Sequence, residues 1–138
     1  MNIEFFYEDT DFVLNQPDTY AKWIALITNK EGYTIEALNY IFCSDEYLYQ
    51  MNMEYLGHDT YTDIITFDNS EEENTIESDI FISVNRVKEN SAVQNIPFEN
   101  ELARVLIHGV LHLMGWNDKT DEERKRMREK EDASLSLR

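Results

Sequence analysis

Apolar positions along this chain fall into short runs at strand spacing that take turns with stripes at helical spacing. Ile3-Glu4-Phe5-Phe6-Tyr7 reads as a first strand. Pro17 at a first helical position, with Asp18 beside it at the positive end of the dipole, opens a helix. Tyr20, Trp23, Ile24 and Ile27 form a core-facing stripe along it, and Gly32 stops it. Thr34 to Cys43, with Ile35, Leu38, Tyr40, Ile41 and Phe42, predicts a second strand. Ser44 caps a helix reaching about Leu56, and Gly57-His58-Asp59-Thr60 is a turn-like break. Asp63-Ile64-Ile65-Thr66-Phe67 predicts a third strand and Ile76 to Ser83 a fourth, with a solvated acidic loop between them. Val84 to Gln94 predicts a short helix. Pro97 then opens a longer one, with Glu99 and Glu101 in its first turn. Its run Leu102-Ala103-Arg104-Val105-Leu106-Ile107 is that of a buried element. Thr120, followed by Asp121-Glu122-Glu123, begins a last, strongly charged helix whose apolar contacts are Met127, Leu135 and Leu137. Because strands and helices interleave, the expected fold is mixed α/β or α+β: one roughly four-stranded sheet covered by helices.

Composition narrows this picture. A chain of 138 residues with 42% apolar content is expected to be a single domain, residues 1–138, built on one core. No apolar segment approaches the ~18 residues of a membrane span. Met1-Asn2-Ile3-Glu4 lacks the basic flank of a secretory signal, so neither signal nor membrane partner is expected. Cys43, the single cysteine, excludes an internal disulfide, packs as a small hydrophobe, and fits a reduced cytoplasmic setting. Twelve basic against 28 acidic side chains give a net charge of −16, which repels phosphate backbones. Six of the twelve bases (Lys119, Arg124, Lys125, Arg126, Arg128 and Lys130) follow one another closely, so a polyanion contact is expected on that side.

The candidate chemistry lies just before that basic segment. His108 and His112, four apart, share one face of the buried helix. Gly115 stands where a helix C-terminus takes a left-handed residue, and Asp118, three residues on, can swing back toward both imidazoles. Neutral imidazole nitrogens and a carboxylate suit one Zn²⁺ per chain with a vertex left for water, although nickel or another divalent ion suits these donors too. A plainer arrangement remains open, in which the histidines are satisfied in the core and Asp118 caps the following helix. Gly109 follows His108 where the zinc peptidase motif His-Glu-x-x-His has its general base, which argues against ordinary peptidase chemistry. His58 and Asp63 are candidates for proton transfer, with Thr62 beside them. As a plain loop residue and as turn hydrogen-bonding groups they need no such role.

Two segments carry a family resemblance. His108 to Asp118 is similar to the His-Gly-x-Leu-His-Leu-x-Gly-Tyr-Asp-His motif of the YbeY family. Tyr55 to Phe67 resembles that family's Thr-Asp-Val-Leu-Ser-Phe segment with its preceding loop. Ser78-Asp79-Ile80-Phe81-Ile82-Ser83 matches the family's Gly-Asp-Ile-x-Ile-Ser strand more weakly. The resemblance implies a metal-dependent endoribonuclease acting in ribosome quality control and in maturation of the 3′ end of 16S ribosomal RNA. Its partner would be ribosomal RNA or the small ribosomal subunit, with His108, His112 and Asp118 holding the metal. The chain departs from the family at two points. Asp118 replaces the usual third histidine, and Leu56 stands where many members carry an arginine thought to contact the substrate phosphate. A leucine cannot stabilise developing phosphorane charge. A second function class is therefore an assembly factor with a structural metal, whose acidic surface binds a basic ribosomal protein. A third is a metal-dependent hydrolase of peptides or small amides.

Overall fold

A computed structural model describes residues 2–138; Met1, first in the stretch read above for a secretory signal, lies outside them. Along the chain run β1 (Ile3–Glu8), α1 (Pro17–Lys30), β2 (Thr34–Cys43), α2 (Asp45–Leu56), β3 (Ile64–Asp68), β4 (Thr75–Ser83), α3 (Val84–Gln94), α4 (Phe98–Leu113) and α5 (Asp121–Leu135). The sheet order is β1-β2-β4-β3, with β1, β2 and β4 parallel and β3 antiparallel to β4. Parallel neighbours need a long crossover, which α1 supplies between β1 and β2. This is the mixed α/β architecture expected from the interleaved periods.

The central strands are buried on both faces, which is why β2 ends on four consecutive buried residues, Tyr40-Ile41-Phe42-Cys43, rather than alternating with polar ones. On one face Leu38, Tyr40, Phe42, Ile76, Ile80 and Ile82 meet the apolar sides of α1 and α4. On the other, Cys43 and Ile65 pack with Leu48 of α2. Cys43 is therefore the small buried hydrophobe anticipated, and burial, followed by the nearby Asp45, Asp9 and Glu8 charges, pushes its thiol up to about 12.

Helix α4 lies deepest. Leu102, Ala103, Val105, Leu106, Ile107, Val110 and Leu111 are all buried, because the helix touches the sheet as well as its neighbouring helices. The Tyr40 hydroxyl, fully buried, finds its partner in the Leu106 carbonyl at 2.9 Å. At Gly109 an added Cβ would stand 3.0 Å from Ile64 Cδ1 and 3.1 Å from Ile80 Cδ1, so the helix rests directly on the sheet. Among the described residues no helix is long and apolar enough to cross a membrane.

Several boundaries and one face differ from expectation. β3 starts at Ile64 rather than Asp63, β4 at Thr75, and α4 at Phe98 with Pro97 as its N-cap. Helix α5 begins as expected with a Thr120–Glu123 capping box. Its buried residues are Met127, Glu131 and Ser134, while Leu137 lies beyond the helix and is 43% exposed. Of the two polar ones, Glu131 turns its carboxylate toward His108 on α4, while the Ser134 hydroxyl donates to Lys130 O within α5 and the Ser134 backbone carbonyl accepts from Trp23 Nε1, both at 2.8 Å.

Candidate metal centre

The last turns of α4 carry His108 and His112, whose ring centroids are 4.6 Å apart and edge to face. The helix stops at Leu113, and Gly115 takes φ 96°, a conformation open to glycine and strained for other residues. The reversal satisfies otherwise orphaned carbonyls: Gly115 N donates to His112 O and Trp116 N to Leu111 O, both at 3.0 Å. It also returns the chain so that Asp118 Oδ2 lies 3.4 Å from His108 Nε2 and 3.3 Å from His112 Nε2. One ligand atom from each of the three residues falls within 4.8 Å of the others. Two imidazole nitrogens and a carboxylate oxygen meeting at one half-exposed point is a donor set that a divalent ion fits. The plainer arrangement does not describe Asp118, because Thr120 caps α5.

A second layer stands behind His108. Its Nδ1 is 2.7 Å from Glu131 Oε2, and the buried Glu131 is held in turn by Arg104 Nη1 at 2.9 Å. Arg104 Nη2 also donates to Asp132 at 2.8 Å. A carboxylate on Nδ1 favours the tautomer that leaves the Nε2 lone pair free on the Asp118 side. Burial alone would depress the His108 imidazole. The Glu131 hydrogen bond and charge, with smaller help from Asp118 and Asp63, outweigh it and leave the group raised above the ordinary histidine value.

Beside His108 opens a cavity of about 210 Å³, whose polar lining comprises Asp63, Glu101, Arg104, Arg128 and Glu131. Burial raises the Asp63 carboxyl, against the pull of its own backbone hydrogen bond and the His108 and Arg86 charges. Burial likewise raises Glu101, which sits in the first turn of α4 as expected.

A family model described as Endoribonuclease YbeY matches residues 5–137. The chain belongs to the YbeY family. A YbeY protein from Cytophaga hutchinsonii is 59% identical over 136 residues, covering 99% of this chain and 95% of its own. One from Christiangramia forsetii is 49% identical over 132 residues, covering 96% and 92%. The solution structure of a Thermotoga maritima protein, 28% identical, superposes with a TM-score of 0.71 over 98% of this chain and 87% of its own.

His108, His112 and Asp118 are brought together by the fold; the other candidates are placed less uniformly. Asp63 lies just before β3 and shares the cavity with His108. His58 is exposed on the loop after α2, where its backbone N–H donates to Asn52 O at 3.1 Å, and its ring is not in the converging group. The Thr62 hydroxyl makes a local bond to Ile64 O at 3.4 Å. Leu56 is exposed at the end of α2. Glu131 and Arg104 escaped the reading of the sequence. The available signal was Glu131 itself, an acid spaced between Met127 and Ser134 on the buried stripe of a helix otherwise charged all round.

Proposed function

We propose that this chain is a single-zinc endoribonuclease, one domain over residues 1–138, that acts in the cytoplasm on the 3′ end of precursor small-subunit ribosomal RNA and in ribosome quality control. The observation that supports this most is the meeting of His108 Nε2 and His112 Nε2 on one Asp118 oxygen, at 3.4 and 3.3 Å, in a chain of the YbeY family. These three residues would hold the ion. When bound there, a zinc ion supplies Lewis acidity toward a phosphate oxygen and lowers the pKa of water toward ~7. Glu131 keeps the proton of His108 on Nδ1 and its lone pair inward. Asp63, raised by burial and lining the cavity beside His108, is the first candidate to accept a proton, and His58 on the exposed loop is the second. A glutamate at position 109 would enter the Ile64 and Ile80 side chains, so the geometry gives peptidase chemistry no general base in its usual place.

Elemental analysis with an RNA cleavage assay tests the reading. Purified protein should carry about one divalent ion per chain and cut structured RNA, and His112→Ala should lose both properties. Equal residual cutting by the two proteins would expose a contaminant and end the nuclease assignment.

The charge of −16 and the missing arginine at position 56 favour a second reading, an assembly factor that binds a basic ribosomal protein around a structural metal. Cosedimentation with small ribosomal subunits that survives His112→Ala would select it.

A further inference from the structure

A phosphodiester substrate calls for a cation beside the centre, and the basic segment after Asp118 is the place to look for one. Half of its six bases are already paired. Arg124 pairs with Asp121, Arg126 with Glu122 at 2.9 Å, and Lys130 with Glu31 at 2.7 Å. The arginines on neighbouring elements are likewise occupied: Arg104 by Glu131 and Asp132, Arg86 by Asp45 at 2.7 Å. Arg128 differs. It is exposed, has no ion pair or side-chain hydrogen bond among the described residues, and lines the same cavity as His108 and Asp63. Its position follows from helix geometry, because Arg128 lies three residues before Glu131 and so stands one turn away on the face that turns toward His108. The cavity also keeps two buried polar atoms without partners, Arg104 Nε and Glu101 Oε1, so hydrogen-bonding capacity beside His108 is left over.

We propose that Arg128 is the phosphate-contacting residue of this chain, a guanidinium supplied from α5 to the cavity beside His108. The proposal rests on the reading of the His108–His112–Asp118 centre as the site of RNA cleavage. A guanidinium suits a phosphodiester because its planar fork grips two oxygens at once and keeps its charge at every working pH. The acidic floor of the cavity, Asp63, Glu101 and Glu131, keeps the phosphate at the mouth beside Arg128 and away from the interior. With the rest of the surface strongly acidic, an exposed guanidinium that lines the cavity beside His108 also selects the position along the strand at which a phosphate can settle.

The test compares Arg128→Ala, Arg128→Lys and, as a control on the same helix, Arg126→Ala, all metal-loaded and with metal content measured. Binding is read by anisotropy with a short fluorescent RNA carrying 2′-O-methyl groups that resist cleavage, and cleavage with the unmodified RNA. Arg128→Ala should weaken binding ~10-fold and lower the slope of log affinity against log salt by about 1. It should reduce kcat/KM at unchanged metal content, with Arg128→Lys recovering part of the loss and Arg126→Ala near wild type. Binding and cleavage by Arg128→Ala equal to wild type would overturn the role of Arg128 while leaving the centre intact. So would a lower thermal midpoint or metal content with unchanged RNA affinity, because Arg128 would then serve only to balance the cavity acids. If the metal-loaded wild type neither bound nor cut RNA, the reading of the centre would fail instead.

Discussion

The arrangement of His108 turns on one acid. Glu131 is buried, yet its charge is compensated by Arg104 at 2.9 Å and used at the His108 Nδ1 at 2.7 Å. Replacing such an outer carboxylate on a metal-binding histidine costs ~10–100-fold in metal affinity. Glu131→Gln keeps the shape and a hydrogen-bonding group but removes the charge, so a chelator-competition titration at pH 8 should show a loss of that size. The same substitution has a pH signature. Because Glu131 raises His108, the imidazole holds its proton to higher pH than an ordinary histidine. The apparent affinity for a bound metal should therefore begin to fall, as pH is lowered, at a higher pH than it would with an ordinary histidine. In Glu131→Gln the affinity on the high-pH plateau should be weaker and the pH at which it begins to fall should move lower. An onset of that fall that stays in place would mean that Glu131 does not control the protonation of His108.

At the scale of elements, the centre depends on how α4 is packed and how it ends. Packing is set by Gly109, where the helix approaches Ile64 and Ile80 closely enough that a Cβ would stand at 3.0 and 3.1 Å. The ending is set by Gly115, whose φ of 96° turns the chain and whose own surroundings are open, with nothing within 4 Å of an added Cβ. Gly115→Ala therefore meets no clash and pays only for its backbone conformation, about 1–2 kcal/mol. Urea unfolding should register that cost. Metal affinity should fall too, because any relaxation of the turn moves Asp118 away from the two Nε2 atoms. A Gly115→Ala protein with unchanged stability and metal affinity would show that the turn is not what places Asp118.

Across the whole molecule the dominant quantity is charge. With 28 acidic against 12 basic side chains, and at least Arg86, Arg104, Arg124, Arg126 and Lys130 already paired, the acidic surface repels itself. Raising salt from about 0.01 to about 0.15 M shortens the screening length from ~30 to ~8 Å. The thermal midpoint should then rise by a few degrees, which calorimetry can follow; a midpoint that fell with salt would show that attractive pairs outweigh the excess of acids. The same excess makes RNA binding depend on where the few free cations stand rather than on the net field.

Local patterning by itself determined much of this protein. The strand and helix limits at Thr34–Cys43, Asp45–Leu56 and Val84–Gln94, the capping role of Thr120, and the trio His108, His112 and Asp118 all follow from interactions within a few residues: side-chain period, caps, and one glycine turn. Tertiary structure alone decided what stands behind the trio. Glu131 reaches His108 from 23 residues away, Arg104 reaches Asp132 from 28, and Asp63, Arg128 and Glu101 share one cavity although they come from different parts of the chain. Such neighbours are selected by the way α5 packs on α4 and α4 on the sheet. That packing balances burial over many residues at once, so no single stretch of sequence encodes which acid or cation will face the histidines.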